Sequence, residues 1–207
     1  MRLSIFISAL FAMSLAAQGH ARPVSYPGGW TLIAEGNAFQ QSLLAHYSPS
    51  AKVSVGLRMA HLDEPDALTV GPQVNVLLKR WNARVSQGNL YWKSGAGVLV
   101  DGPTGAAGFT GLAADWETRR LFLSYSLMGR VQPGEDQIVQ SGRLGWAPYE
   151  GDFGDLHTWV MVQVDRRDGR VDDWEVTPLV RLFKGVALAE AGISLEGNPL
   201  LNFTYRF

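Results

Sequence analysis

The sequence GNPLLNFTYRF, residues 197–207, decides the fold, because apolar and polar side chains alternate along it to the C-terminus. One parity holds Leu201, Phe203, Tyr205 and Phe207. The other holds Asn202, Thr204 and Arg206. Successive side chains of a β-strand point to opposite faces, so this pattern predicts a strand with one apolar face. Chain ends in soluble domains are usually loosely held. We therefore expect this strand to be paired on both edges and covered on one face by an apolar medium.

The composition is rich in glycine and tryptophan and poor in charge, with 23 Gly, 7 Trp and 18% charged residues among 207. The formal net charge of -1 gives no electrostatic basis for binding nucleic acid. The absence of cysteine excludes disulfide bonds and thiolate metal sites. The fold must therefore be stable without covalent cross-links.

The N-terminal residues 1–21 have the features of a secretory signal peptide. Arg2 precedes an apolar run at 3–17, and the small residues Gly19 and Ala21 follow it. A transmembrane anchor is the alternative, but this run is shorter than the ~20 residues that a spanning helix needs. We expect cleavage after Ala21 and one mature domain, 22–207.

The rest of the chain predicts short alternating strands joined by turns rich in Gly, Pro, Asn and Asp. The predicted strands cover 30–35, 39–47, 51–61, 68–81, 89–100, 107–117, 120–131, 137–147, 157–165, 174–183, 186–195 and 200–207. Ten strands are the alternative, because the first segment is short and the sequence around Pro148 is irregular. Consecutive hairpins with no exposed edge indicate an all-β, up-and-down antiparallel barrel closed by its last and first strands.

Two features indicate that the apolar face points outward. The polar parity carries many glycines, which suits a crowded interior: Gly56, Gly95, Gly97, Gly145 and Gly192. Aromatic residues concentrate at the predicted rim that holds the chain termini: Trp30, Trp81, Trp92, Trp116, Trp146, Trp159, Tyr205 and Phe207. Aromatic girdles of this kind are typical of membrane–water interfaces. The pattern therefore predicts a transmembrane β-barrel.

A leader, alternating strands and a final strand ending in Phe207 resemble Gram-negative outer-membrane β-barrel proteins. The resemblance implies an outer-membrane location, contact with outer-membrane lipids, and recognition of the C-terminal strand by the barrel-assembly machinery. Three segments, PVSYPGGWT (23–31), HYSP (46–49) and TPLVRLFKG (177–185), also resemble an uncharacterised proteobacterial family. Genes of that family often lie near copper or other heavy-metal resistance genes, which implies no particular biochemical activity.

No residues form a recognisable catalytic or metal-binding motif. His46, His61 and His157 lie on different strands without the spacing of metal ligands. A lipid-modifying enzyme would need a nucleophile and a base near a rim, and Ser124, Ser126, His157 and Asp155 are the available types. No GxSxG-like sequence frames either serine. We therefore expect no catalytic residue, metal or cofactor.

Charged residues on the polar parity are the predicted lining of the lumen. The set comprises Lys52, Arg58, Lys79, Lys93, Asp115, Glu117, Arg143, Glu175, Arg181, Glu190 and Arg206, with Glu35 and Glu196 as further acids. Confined charges persist if they are paired or hydrated. The near balance of signs predicts a lumen braced by ion pairs, and hence a structural barrel or a narrow, weakly selective passive channel. The alternatives are a rim-sited lipid-modifying enzyme and a soluble periplasmic β-barrel that binds an apolar ligand.

Overall fold

A computed structural model describes residues 23–62, 66–101, 105–133, 135–152, 154–168 and 174–207. The predicted signal peptide, 1–21, lies outside these residues. Within the described ranges, no helix is long and apolar enough to cross a membrane.

Alternating sequence segments form twelve β-strands in chain order. They are β1 (Trp30–Gly36), β2 (Gln40–Ser50), β3 (Val53–Leu62), β4 (Ala67–Asn82), β5 (Ser86–Asp101), β6 (Ala106–Thr118), β7 (Leu121–Gln132), β8 (Glu135–Trp146), β9 (His157–Arg167), β10 (Trp174–Lys184), β11 (Ala187–Ile193) and β12 (Pro199–Arg206). Each strand pairs antiparallel with its sequence neighbours, and the sheet closes into a barrel. The prediction of twelve strands rather than ten is confirmed.

The seam of the barrel lies between the first and last strands, as the C-terminal sequence predicts. Their register runs from Thr31 opposite Arg206 to Gly36 opposite Leu201. Beyond it, the Trp30 N–H donates to the Phe207 carbonyl at 2.8 Å, and the Phe207 N–H donates to the Trp30 carbonyl at 3.0 Å. The last residue of the chain is therefore part of the ladder that closes the sheet. We call this end of the barrel the terminal rim and the other end the far rim.

The apolar parity faces outward and the polar parity faces inward. Leu201 and Phe207 are each 60% exposed, whereas Thr204 and Arg206 on the opposite face of the same strand ladder are buried. On β3, the same division separates exposed Leu57 from buried Ser54. The exposed surface of the strands is thus predominantly apolar, the reverse of a soluble barrel.

Inward-facing glycines lie where the interior is crowded, as predicted. A Cβ on Gly95 would lie 2.5 Å from the Phe109 ring, and one on Gly97 would lie 2.8 Å from the Val70 carbonyl oxygen. Glycine therefore allows large side chains and neighbouring strands to approach closely inside the barrel.

Two residues predicted to line the lumen lie elsewhere, because the local register differs from a regular strand. Lys52 occupies an exposed turn before β3, after a register shift between Tyr47 and Ser50. A second shift, between Leu77 and Lys79, reverses the side-chain parity of β4. Lys79 therefore lies on the outer face, with its ammonium 5.2 Å from the centroid of the Trp81 ring.

The aromatic residues predicted to lie at the membrane interface face outward, with one exception. Trp159 is opposite Arg181 on the inner face, and its ring packs edge-on against Phe122 with centroids 6.4 Å apart. The prediction that Trp159 belongs to an outer girdle is therefore wrong, because its position near a strand end does not set its parity. The other predicted members are outward-facing: Trp30, Trp81, Trp92, Trp116, Trp146, Tyr205 and Phe207.

Candidate functional site: the barrel interior

The candidate site is a cavity of about 300 Å³ inside the barrel. Residues from all twelve strands line it, and so do three residues outside the strands. Pro23 comes from the segment before β1, and Asn37 and Phe39 come from the turn between β1 and β2. The geometry of Pro23 and Phe39 determines how far each end of the interior is narrowed.

The segment before β1 is held inside the barrel near the terminal rim. The carbonyl oxygen of Pro23 accepts hydrogen bonds from the Ser54 hydroxyl at 2.8 Å and the Asn75 side-chain amide at 3.2 Å. The Ser25 N–H donates to the Ser48 hydroxyl at 3.0 Å. Since Ser48, Ser54 and Asn75 are buried residues of the barrel wall, these bonds fix the segment against the interior.

Apolar packing supplements these hydrogen bonds. Val24 is 4% exposed and packs in one buried cluster with Leu77 and Tyr91. The N-terminal segment therefore fills part of the lumen at the terminal rim. The sequence gives no periodic signal for it, because residues 23–29 are not part of a strand.

A second contact narrows the far rim. The Arg167 guanidinium carbon lies 4.2 Å from the centroid of the Phe39 ring, a cation–π contact. Three strands separate β1 from β9 on one side of the barrel, so this contact bridges the interior. The Asn37 side-chain oxygen accepts the Phe39 and Gln40 N–H groups at 2.9 and 3.1 Å, which fixes the turn that carries Phe39.

One group of lumen charges is tightly paired, as the sequence predicts. Glu190 accepts hydrogen bonds from Arg143 at 2.8 Å, from Arg181 at 2.6 Å and from the Asn202 amide at 2.7 Å. Its side chain is 3% exposed. Arg143 also donates to the Gln163 side-chain oxygen. The group joins β8 to β12 from inside the barrel.

A second group of charges is not paired in this way. Arg58, Lys93 and Arg130 line the cavity, yet none forms a hydrogen bond or salt bridge within the described residues. Glu35 interacts electrostatically with all three without forming a salt bridge. The ion pairs that brace the lumen are therefore those of Glu190, and this side of the barrel has no salt bridge among its described cavity-lining cations.

The remaining predicted lumen residues face inward near the two rims. Asp115 accepts the Asn89 amide at 2.6 Å, and Glu175 accepts the Asn198 amide at 3.0 Å. Glu117 is opposite Gln87 and Phe122, and Arg206 is opposite Thr31. Further inward-facing charged side chains in the described part of the chain were not predicted from the sequence: Arg80, Arg130, Asp165 and Arg167. The strand parity indicates Arg130, which shares its face with Ser124 and Ser126 on β7.

No hydrogen bond joins the described residues that were considered for a rim-sited enzyme, although His157 and Asp155 both lie next to Gly151. The His157 ring contacts Phe183, with centroids 5.9 Å apart, and the Asp155 carboxylate accepts the Asp152 N–H at 2.9 Å. Ser124 is opposite Asp115 and Arg143 on the inner face. In the part of the chain that the structure describes, no three His, Asp or Glu residues form a group that could hold a metal ion.

Comparison with solved structures shows a protein of similar fold. The fold matches that of a porin. The chain superposes on the structure described as "KdgM porin in complex with disordered oligogalacturonate" with a TM-score of 0.54 and 9% sequence identity. The match covers 86% of this chain and 99% of the KdgM chain. At this identity the likeness shows the fold. No protein-family model matches the sequence, and no curated protein matches it significantly.

Proposed function

We propose that this protein is an outer-membrane β-barrel that acts as a narrow passive channel. The observation that carries the proposal is the division of the closed barrel into an apolar exterior and a charged interior with a cavity of about 300 Å³. An apolar exterior without unpaired sheet edges is what a lipid bilayer requires. A polar, cavity-containing interior is what solute passage requires.

Two further observations support the channel. The matched structure is described as a porin, although what that protein binds is its own property. In addition, Pro23 and Phe39 line the interior cavity towards its two ends. The channel is accordingly narrow and suits small solutes.

Conductance in planar lipid bilayers tests this proposal. We expect the purified, folded barrel to give small, discrete current steps, because the interior is hydrated but constricted at both rims. The same preparation unfolded by heating should give none. Folded protein that inserts without any conductance would favour a structural barrel over a channel.

The outer-membrane location is part of the same proposal, together with the signal peptide and recognition of the C-terminal strand by the barrel-assembly machinery. Sucrose-gradient fractionation of cells that express the protein tests the location. Recovery with periplasmic proteins would favour a soluble β-barrel. A link with heavy-metal resistance is supported only by the resemblance of the three short segments.

Phe207→Ser should reduce the fraction of protein that is assembled in the outer membrane. The change removes the exposed ring that ends the aromatic row Phe203, Tyr205 and Phe207, whose successive centroids are 6.5 and 6.0 Å apart. Leu195→Ser is the matched control, because Leu195 is exposed in the turn after β11. Heat-modifiable gel mobility of membrane fractions measures the assembled fraction. Equal assembly of both variants would contradict a special role of the last residue.

A further inference from the structure

Three cationic side chains form one wall of the interior cavity. Arg58 on β3, Lys93 on β5 and Arg130 on β7 lie on alternate strands, and we call them the basic wall. Glycines are opposite two of them, Gly71 opposite Arg58 and Gly111 opposite Lys93. Their other cross-strand neighbours are uncharged: Leu44 for Arg58, Asn75 for Lys93, and Phe109 and Gln137 for Arg130. The Phe109 ring also contacts Arg58, with its centroid 5.1 Å from the guanidinium carbon. The neighbouring strands therefore place no carboxylate opposite these cations.

The described carboxylates do not neutralise the basic wall. Glu190, as shown above, is already bound by two arginines, and Asp165 accepts the Gln163 amide at 2.6 Å. Among the described residues, the cavity lining holds five cations and three carboxylates, Glu35, Asp165 and Glu190, so positive charge is in excess. Cations confined in a protein interior are stabilised by water or by a counter-ion. The basic wall therefore has the charge excess of an anion-binding site.

Apolar side chains line the cavity next to the basic wall, and Leu44 is directly opposite Arg58 in the sheet. Ile33, Leu44, Leu188 and Leu200 line it from β1, β2, β11 and β12. Ile33 is opposite both Leu44 and Thr204, and Thr204 is opposite Leu188, so three of these side chains belong to one continuous patch. An apolar surface that adjoins a few converging charges is typical of sites for organic ligands.

We infer that the interior cavity binds a small organic anion, with its carboxylate or phosphate on the basic wall and its apolar part against Leu44 and Leu188. The charge excess selects an anion, and the adjoining leucines select an organic anion over an inorganic one. A volume of about 300 Å³ is at the lower end for ligand sites, which restricts the ligand to a small molecule. The inference deepens the proposed function by naming the solute class, but binding requires no conduction.

Calorimetric titration of the purified barrel, folded in detergent micelles, tests the inference with three probes. Benzoate carries both a carboxylate and an apolar ring, acetate lacks the ring, and benzamide lacks the charge. We expect saturable binding of benzoate, weaker binding of acetate and none of benzamide, after subtraction of titrations into empty micelles. No binding of benzoate, or equal binding of benzoate and benzamide, would overturn the inference.

Substitutions of residues that line the cavity should change the benzoate affinity in opposite directions. Lys93→Gln and Arg130→Gln should each lower benzoate affinity about tenfold, because each removes a charge-assisted hydrogen-bond donor. Glu35→Gln should raise the affinity, because it removes the carboxylate that competes for the same cations. The control Lys79→Gln removes the same charge as Lys93→Gln, but from the outer face, and should leave affinity unchanged.

Folding of each variant is verified by heat-modifiable gel mobility before titration. Equal affinities of Lys93→Gln, Arg130→Gln and Lys79→Gln would overturn the assignment of the basic wall. Benzoate binding without bilayer conductance would refute the channel and leave the binding site intact. Conductance without benzoate binding would refute the binding site and leave the channel intact.

Discussion

Glu190→Ala should lower the free energy of unfolding by about 3–5 kcal/mol, because it leaves two buried arginines without their carboxylate. The Glu190 side chain is 3% exposed, and those of Arg143 and Arg181 are 15% and 12% exposed. Water in the lumen can therefore compensate little of the loss. Urea titration of the barrel in lipid vesicles, followed by tryptophan fluorescence, measures the change.

Asp152→Ala is the control for this prediction. Asp152 is an acidic residue in an exposed loop, 95% exposed at its side chain and 3.9 Å from Arg119. An exposed ion pair contributes little to stability, so we expect a change below about 1 kcal/mol. Similar losses for the two variants would mean that the Glu190 group is hydrated and does not brace β8 to β12.

The sequence predicts the parts of this fold that depend on regular alternation. The alternation along β12 correctly assigns Phe203 to the outer face and Thr204 to the inner face. Successive side chains of an unbroken strand point to opposite faces, so the assignment of one residue determines that of the next. The same reasoning failed for Lys79, since a bulge after Leu77 inserts one residue and reverses the parity. A bulge leaves no distinctive residue type in the sequence.

Contacts across the interior could not be predicted from the sequence. The hydrogen bond from Asn75 to the Pro23 carbonyl joins residues that are 52 positions apart, and the contact of Phe39 with Arg167 joins strands that are not neighbours in the sheet. Alternation assigns a face to each residue, but it does not assign partners across the lumen. The distinction between the paired Glu190 group and the unpaired basic wall therefore required the register and stagger of all the strands.

Leu127→Arg should lower the free energy of unfolding in lipid by about 2–4 kcal/mol, whereas Ser126→Arg should lower it much less. The two residues are adjacent near the middle of β7, so they share a depth in the barrel and differ in the face they occupy. Leu127 is 44% exposed on the outer face, where the bilayer interior would surround the new charge. Ser126 lines the cavity, where water can hydrate an arginine.

Adjacent positions on one strand make this comparison sharper than one between strands. Ser54, the inward neighbour of outward Val55, is a poor reference because its hydroxyl donates to Pro23 and it is fully buried. An arginine at that position would displace the N-terminal segment as well as add a charge. Folding titrations of the Leu127 and Ser126 variants into vesicles decide which face contacts lipid. A larger loss for Ser126→Arg would place the polar face outside, and the barrel would then be soluble rather than membrane-spanning.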